Sequence, residues 1–470
     1  MPSLLTLLLP LLAWLGSFAP AAPFDANWVN NVGARTQPAG QTVFPVTKYG
    51  AVADGQTLNT RAIQQAIDAA ARKGGVVTFA PGRYLTGSIF LKKGVTLHLA
   101  KGVILLGSQN LQDYPELPSR VAGIEMVWPA GLINILGQDN VAITGEGTVD
   151  GQGQPFWDNY WALRKEYEAK GLRWIVDYDA KRPRTLVVAN SSNVTLRGIT
   201  LQRAGFWTVH ILYSQNVTAD GLVVRNNLGG HGPSTDGIDI DSSSYVLVQN
   251  CDIDCNDDNF CLKAGRDWDG LRVNRPAEYI LIQNCVAGAG GGLLTCGSET
   301  SGGIRHVIAR GLRARGTQCG IRLKSATNRG GTVEDILVEN IELEQVRWPI
   351  SVSMNWNPAY SYSALPAGYT EATLPEHWKK MLARVTPEQG TPHFRHVTIR
   401  NLRATGAQVA ITAEGLPGSV LENFTLADIS IRSAAAGNID YAKGWNIRRL
   451  DIQAANRQPV AVTNSADMQN

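Results

Sequence analysis

An all-β solenoid, a parallel β-helix closed at its N-terminal end by one helix, is the fold this sequence predicts. Three observations point to it. Short runs of β-branched and leucine residues recur at intervals of 23 to 34 residues, and a fixed period of that length marks stacked structural repeats. The intervals are too short and too β-branched to hold the helical crossover of a βαβ unit. Finally, 48 glycines beside 7% aromatic residues describe many turns and slim strands rather than a helical bundle. A β-sandwich or a propeller is the alternative, although a propeller blade needs four strands in about 40 residues. With 470 residues, 44% of them hydrophobic, the chain can fill one long core.

The elements follow in order. Residues 3–18 are uncharged and strongly apolar and run into Ala19-Pro20-Ala21-Ala22, which predicts a secretory signal at 1–21 cleaved after Ala21. An N-terminal membrane anchor is limited by Pro10 and by the shortness of the run. Residues 22–44 form an extension, and 45–470 read as a single β-helix domain. Between Asn59 and Lys73, Ile63 and Ile67 sit among alanines at helical spacing before Gly74-Gly75, which predicts a helix capping the first coil. The repeats begin at Asn193, Asn216, Tyr245, Tyr279, His306, Asp335 and His396, and the last interval, 61 residues, reads as about two units. Each coil is expected to lie ~4.8 Å from the next. Two stretches, 153–184 and 355–394, exceed the repeat and are rich in Trp, Tyr, Lys and Arg. Insertions of this kind emerge on one face of a solenoid. Their aromatic faces suit sugar rings and their cations suit carboxylates, or the aromatics pack the loops onto the coil.

Composition excludes several function classes. The net charge of +3, with no basic run interleaved with aromatics, argues against nucleic acid. No later segment is apolar enough for a bilayer. The six cysteines all fall between 251 and 319, and Cys251-x3-Cys255 lacks a partner pair at zinc-ligand spacing, so neither a metal nor another cofactor is expected. These thiols are either disulfide-bonded or small buried residues between strands.

Chemistry concentrates in Ser234-Thr235-Asp236-Gly237 and Asn256-Asp257-Asp258-Asn259, each just ahead of an alternating apolar run. Aligning the coils on Asp220, Asn250, Asn284 and Arg310 starts the next strands at Asp236, Asp258, Gly291 and Cys319. Asp236 and Asp258 then share a column with Asp257 beside them, while Arg322 and Lys324 point outward two coils later. Carboxylates at one end of a strip and cations at the other suit a glycosidase for acidic sugars: one carboxylic acid protonates the leaving oxygen, a carboxylate activates water, and the cations bind the substrate's carboxylate. Asp239 and Asp241 alternate outward and are either solvated or part of the groove floor. His210, His231 and His306 lack nucleophile partners and read as structural or substrate-contacting.

These motifs resemble the polygalacturonase family of pectin hydrolases (glycoside hydrolase family 28). That family carries Asn-Thr-Asp, Asp-Asp, Gly-His-Gly and Arg-Ile-Lys in this order, here present as Ser234-Thr235-Asp236, Asp257-Asp258, Gly290-Gly291-Gly292 and Arg322-Leu323-Lys324. Phe206 to His210, Gly147 to Gly151 and Gly297-Ser298-Glu299 are similar too, and the likeness runs from about Phe44 past residue 340. The resemblance implies a right-handed β-helix and inverting hydrolysis, with Asp257 as general acid and Asp236 with Asp258 orienting water. It further implies Arg322 and Lys324 on a galacturonate carboxylate, and substrate contacts at Gly291 and His210. Gly291 stands where the family has histidine, which raises a rhamnogalacturonan-cleaving enzyme of the same family beside a galacturonan hydrolase. A β-helix polysaccharide lyase and a non-catalytic carbohydrate-binding solenoid are the remaining readings. The expected protein is a secreted (extracellular or periplasmic) monomer acting on pectic polysaccharide or oligogalacturonide, with no membrane partner, and its aromatic-basic loops favour exo action by blocking one end of the groove.

Overall fold

The computed structural model describes residues 25–35 and 42–469; the signal expected at 1–21, and residues 22–24 and 36–41 of the extension, lie outside them. The backbone winds as a right-handed parallel β-helix, its 33 strands joined in parallel ladders between successive windings. The repeated runs form one of these ladders. Val141, Val194, Val217, Val246, Ile280, Val307, Ile336 and Val397 pair in sequence, and all are buried in the bore.

The residue before each of them turns the corner. Asn140, Asn193, Asn216, Tyr245, Tyr279, His306, Asp335 and His396 all take the left-handed conformation, with φ between 53° and 59°. This costs a non-glycine residue about 1–2 kcal/mol. Stacking along the corner offsets part of it: Tyr245 lies 5.0 Å from Tyr279, Tyr279 lies 4.8 Å from His306, and Asn216 donates to Asn193 at 3.4 Å.

The register corrects two expectations. Asp220 pairs with Gln249, Gln249 with Gln283 and Gln283 with Arg310, so Asn250 and Asn284 stand one residue further on, at a second left-handed corner (φ 55° and 54°). That corner accepts glycine or asparagine alike, and Gly221 fills it one winding earlier. The 61-residue interval is not two units: Ile336 pairs directly with Val397, so it is one winding carrying an insertion.

The helix Thr60–Ala71 turns Ile63, Ala66, Ile67 and Ala70 onto the first windings and covers the open end of the bore. All six cysteines are buried free thiols. Segment 153–184 folds into the helix Gln154–Ala169 and short turns at Arg173–Ile175 and Val176–Asp179. Segment 355–394 carries Pro358–Ser361, Glu376–Leu382 and Pro387–Gly390. Another insertion escaped the sequence reading, an antiparallel hairpin, Glu116–Val121 with Ile124–Pro129; in chain order the hairpin is thus the first insertion, 153–184 the second segment and 355–394 the third. The three share one apolar cluster over a single ladder, in which Val121, Ile124 and Trp128 meet Trp174, Ile175, Tyr178, Trp378 and Met381.

On the ladder of the repeats, the extension runs lengthwise across the windings. Ala26, Trp28, Val29 and Val32 lie on Leu247, Leu281, Ile308 and Leu337. The Gly33 amide then donates to the Asn216 carbonyl at 3.0 Å, and the Ala34 amide to Thr195 Oγ1 at 2.8 Å.

Candidate active site

The carboxylates meet because two neighbouring strands are in register. Ile238 pairs with Phe260, and the Gly237 amide donates to the Asp258 carbonyl at 2.9 Å, which sets Asp236 and Asp258 level at the strand entries. One oxygen of Asp236, one of Asp258 and Cys261 Sγ lie within 4.8 Å of one another. Asp236 is 3% and Asp258 1% exposed. Asp257 is partly exposed, and its Oδ1 accepts from the Asp258 amide at 2.9 Å. Three carboxyls this close need either counter-charges or protons.

Both are present, but not as a strip divided into acidic and cationic ends. Lys324 Nζ lies 2.8 Å and Arg322 Nη1 3.3 Å from Asp258, which also accepts from Thr295 Oγ1 at 2.8 Å. The long side chains reach back across one winding, so the cations engage an acid of the cluster. Burial alone raises the Asp258 carboxyl, but Lys324, Arg322 and Lys263 outweigh it and hold the group below the usual carboxylate range. Burial, aided by the Asp258 charge, pushes Asp257 up. Burial with Asp239 and Asp257 pushes Asp236 well up. Lys263 Nζ sits 3.6 Å from Asp236, 3.6 Å from Asp239 and 3.3 Å from Glu299, one ammonium among three carboxyls. Burial opposes its charge, yet Cys261, Glu299, Asp236 and Asp239 keep its pKa well above normal. Asp236, Asp258 and Cys261 are also the group that could hold a cation, although burial drives the Cys261 thiol far above its ordinary pKa, and Asp258 is already occupied by Lys324 and Arg322.

In strand register Gly291 stands level with Asp257, and Gly292 with Asp258. Leu294 pairs with Phe260, and Gly292 with Cys319, so the winding is displaced by one residue from the sequence alignment. A Cβ at Gly291 would lie 3.1 Å from Asp258 Oδ1, 3.3 Å from Asp257 Oδ1 and 3.4 Å from Arg322 Nη1. A side chain there would point at all three groups; glycine leaves the place open.

His210 does not reach the substrate side. It is 0% exposed, accepts from Arg184 Nη1 at 2.7 Å on Nδ1 and faces Asp241 at 3.4 Å through Nε2. Burial lowers its pKa to about 4, with the Arg184 charge adding to the fall, so the ring is neutral inside the framework. Asp239 and Asp241 are buried too, neither solvated nor open floor, because the hairpin covers their strand. Arg120 of the hairpin pairs with Asp241 at 3.2 Å and donates to Ser242 Oγ at 2.7 Å.

The insertions turn what the strands alone would leave as a trough into a narrow pocket of about 80 Å³. Asp236, Asp257, Asp258, Lys263 and Lys324 form its floor. Ala122 of the hairpin, Arg173 and Asp177 of the second segment, and Trp356 and Tyr360 of the third form its wall. Trp356 lies 4.4 Å from Lys324 Nζ and 5.3 Å from the Arg322 guanidinium, a ring set beside the cations. Most of the other insertion aromatics are packing: Trp157, Tyr160, Trp174 and Tyr178 are buried. Ser234 donates to Asp177 at 2.9 Å, tying the Asp236 turn to the second segment. Sequence reasoning passed over Lys263, although the alternation that singled out Arg322 and Lys324 also turns Lys263 outward on the strand of Asp258. Trp356 and Tyr360 lie in the aromatic- and base-rich stretch 355–394 that the sequence marks for sugar binding, but no local pattern distinguishes them from its other aromatics as pocket residues.

Comparison with known proteins gives a consistent result. Residues 120–368 match the family described as glycosyl hydrolases family 28, and residues 43–107 match one described as rhamnogalacturonase A/epimerase, pectate lyase-like. A probable polygalacturonase of Vitis vinifera is 28% identical over 399 residues, covering 82% of this chain and 74% of that protein. An exo-poly-alpha-D-galacturonosidase of Dickeya chrysanthemi is 28% identical over 393 residues, covering 74% of this chain and 63% of its own length. Among solved structures, a hyperthermoactive exopolygalacturonase from Thermotoga maritima superimposes with a TM-score of 0.75 at 24% identity, covering 91% of this chain and 95% of that one; this likeness shows the fold.

Proposed function

This chain belongs to the glycosyl hydrolases of family 28, and from that premise we propose that it removes sugar units from the ends of galacturonate-containing pectic chains by a single, inverting displacement. The observation that carries the reading is the three-carboxyl floor at the bottom of a walled pocket. A walled pocket admits a chain end, whereas an interior segment of polymer needs a through-groove. The names of the grape and Dickeya relatives supply the substrate class.

Asp257, raised in pKa and open to the pocket, is the general acid that protonates the leaving oxygen. Asp258, held ionised by Lys324 and Arg322, takes the proton of the attacking water, with Asp236 as the second contact to that water. Their oxygens approach within 4.8 Å, and a single water bridging two acceptors at ~2.8 Å each spans up to about 5.6 Å. Divergent environments assign these roles: acids whose pKa values are pushed apart can serve as donor and acceptor at one pH. Arg322 and Lys324, with Trp356 beside them, receive the uronate carboxylate and the ring face. The catalytic unit is residues 45–470 of one copy. It works outside the cytoplasm, a reading that rests on the signal the sequence predicts at 1–21; no helix among the described residues is long and apolar enough to cross a membrane.

A second reading, action on rhamnogalacturonan, draws on the open place at Gly291 and on the match of residues 43–107. Product analysis on homogalacturonan, unsaturated oligogalacturonides and rhamnogalacturonan, run side by side, tests both. The expected result is new reducing ends from homogalacturonan, released as single units without ultraviolet-absorbing products. Cleavage of rhamnogalacturonan alone moves the substrate to the second reading, absorbing products indicate a lyase, and inactivity on all three refutes the enzyme.

A further inference from the structure

Arg266 does not itself line the pocket, yet each insertion that walls the pocket is tied to it. Its backbone amide donates to the Gly123 carbonyl of the hairpin at 3.0 Å. Its Nη1 donates to Tyr178 Oη of the second segment at 2.9 Å, and Nη2 to the Tyr360 and Ser361 carbonyls of the third at 2.7 and 3.2 Å. The remaining edge is closed by Asp267, which accepts from Nε at 2.9 Å. Tyr178 in turn donates to the Ala122 carbonyl at 2.8 Å, closing a loop from hairpin to second segment to Arg266. The side chain is fully buried, lying over the Tyr360 ring at 4.6 Å.

Two glycines let the parts meet this closely. A Cβ at Gly123 would lie 2.5 Å from Arg266 Cβ, and one at Gly265 would lie 1.5 Å from Arg120 Nη2. A guanidinium suits the task because its donors are fixed in a planar fork, so one side chain can serve four separate acceptors at set angles. Asp267 keeps the charge compensated and is itself shared with Arg329, whose Nε donates to the Ser298 carbonyl at 3.0 Å beside the pocket floor.

We propose that Arg266 is a positioning residue that fixes the end wall: it holds the hairpin, Tyr178 and Tyr360 in one arrangement and so sets the enzyme's preference for chain ends. The inference rests on the exo reading above. Without the Arg266 guanidinium the second and third insertions keep their apolar contacts but lose their common anchor, and the hairpin, whose bond to the residue-266 amide survives any side-chain change, is loosened only through Tyr178 at its Ala122 carbonyl. The wall then loosens while the acids on the strands stay in place, so the defect falls on binding and on product length rather than on the chemical step.

The test compares Arg266→Met, Arg266→Lys and Tyr178→Phe with the wild type on long and short oligogalacturonates, alongside hydrogen exchange of the wall. Arg266→Met is expected to raise KM at least tenfold with kcat within about threefold, to release short oligomers as well as single units, and to lose amide protection at residues 176–180 and 356–362, with a smaller loss at 121–124, where the backbone bond to Gly123 remains. Arg266→Lys keeps the charge without the fork and is expected not to rescue it. Tyr178→Phe removes only the hydroxyl bonds, is expected to shift KM and product length in the same direction by about threefold, and decides the matter if Arg266→Met does not fold. Wild-type KM, product length and exchange in folded variants would overturn the proposal, as would a fall in melting temperature alone. Mixed-length products from the wild type refute the exo reading by themselves, whereas the exchange data judge the anchoring separately.

Discussion

Replacing Lys324 by methionine probes the electrostatics of the site most directly. Methionine keeps the length of the stem beside Trp356 and removes the ammonium that lies 2.8 Å from Asp258. Breaking one partner out of a buried pair costs about 3–5 kcal/mol when the other charge is left alone. Here Arg322 at 3.3 Å and Thr295 at 2.8 Å remain, so the loss belongs near the lower bound, ~3 kcal/mol or slightly less. The sign of the pH dependence follows from linkage. Asp258 has a folded pKa below its ordinary 3.8, so its ionisation contributes stability that is present above pH 3.8 and fades as pH falls toward the folded value. Lys324→Met raises the folded pKa, each unit of rise removing about 1.4 kcal/mol. The unfolded chain is common to both proteins, so their difference in urea unfolding is set by the two folded Asp258 values: it is expected to be largest at neutral pH and to shrink as pH falls through the variant's raised value toward the wild type's. Activity is expected to weaken as well, with its acid limb shifted upward by about 1–2 units as Asp258 becomes easier to protonate. A stability gap that holds constant as pH falls through the acid limb of the variant's activity would refute the reasoning, because it would mean that Lys324 acts by packing alone.

Two further expectations follow from the same geometry. Asp257→Asn retains the oxygen that accepts from the Asp258 amide but not the acidic proton, so kcat should fall about 10²–10⁴-fold with the unfolding midpoint nearly unchanged. In the wild type the acid must be protonated, so the rate should decline as pH rises through the Asp257 pKa, which burial and Asp258 place above 3.8; a wild-type pH profile that keeps that alkaline limb in Asp257→Asn assigns the proton to another group. Deleting residues 25–35 uncovers Leu247, Leu281, Ile308 and Leu337. Three half-buried apolar side chains, Trp28, Val29 and Val32, should be worth about 3–5 kcal/mol together, read as a lower urea midpoint with turnover preserved in the folded state. Unchanged stability would show that the strap lies on the windings without supporting them.

The sequence by itself determined the winding and the acids. Wherever a single corner residue precedes a β-branched run, as at Asn193, Tyr245 or His396, the left-handed turn and the period of the repeat are written locally, and the stacked valine column follows from them. The levelling of Asp236 with Asp258 was legible for the same reason: both sit at the same distance before an alternating run. Only the tertiary structure decided the register at the corners, where Gly221 and Asn250 are interchangeable, and that Gly292, not Gly291, stands level with Asp258. It likewise decided that His210 is interior, that Arg322 and Lys324 fold back onto Asp258, and that the trough is closed. Those outcomes depend on contacts such as Arg266 with Tyr178 and Tyr360, which are 88 and 94 residues distant along the chain. A local pattern records what each winding needs to stack on the next, and it carries no trace of which distant loops a buried guanidinium will gather.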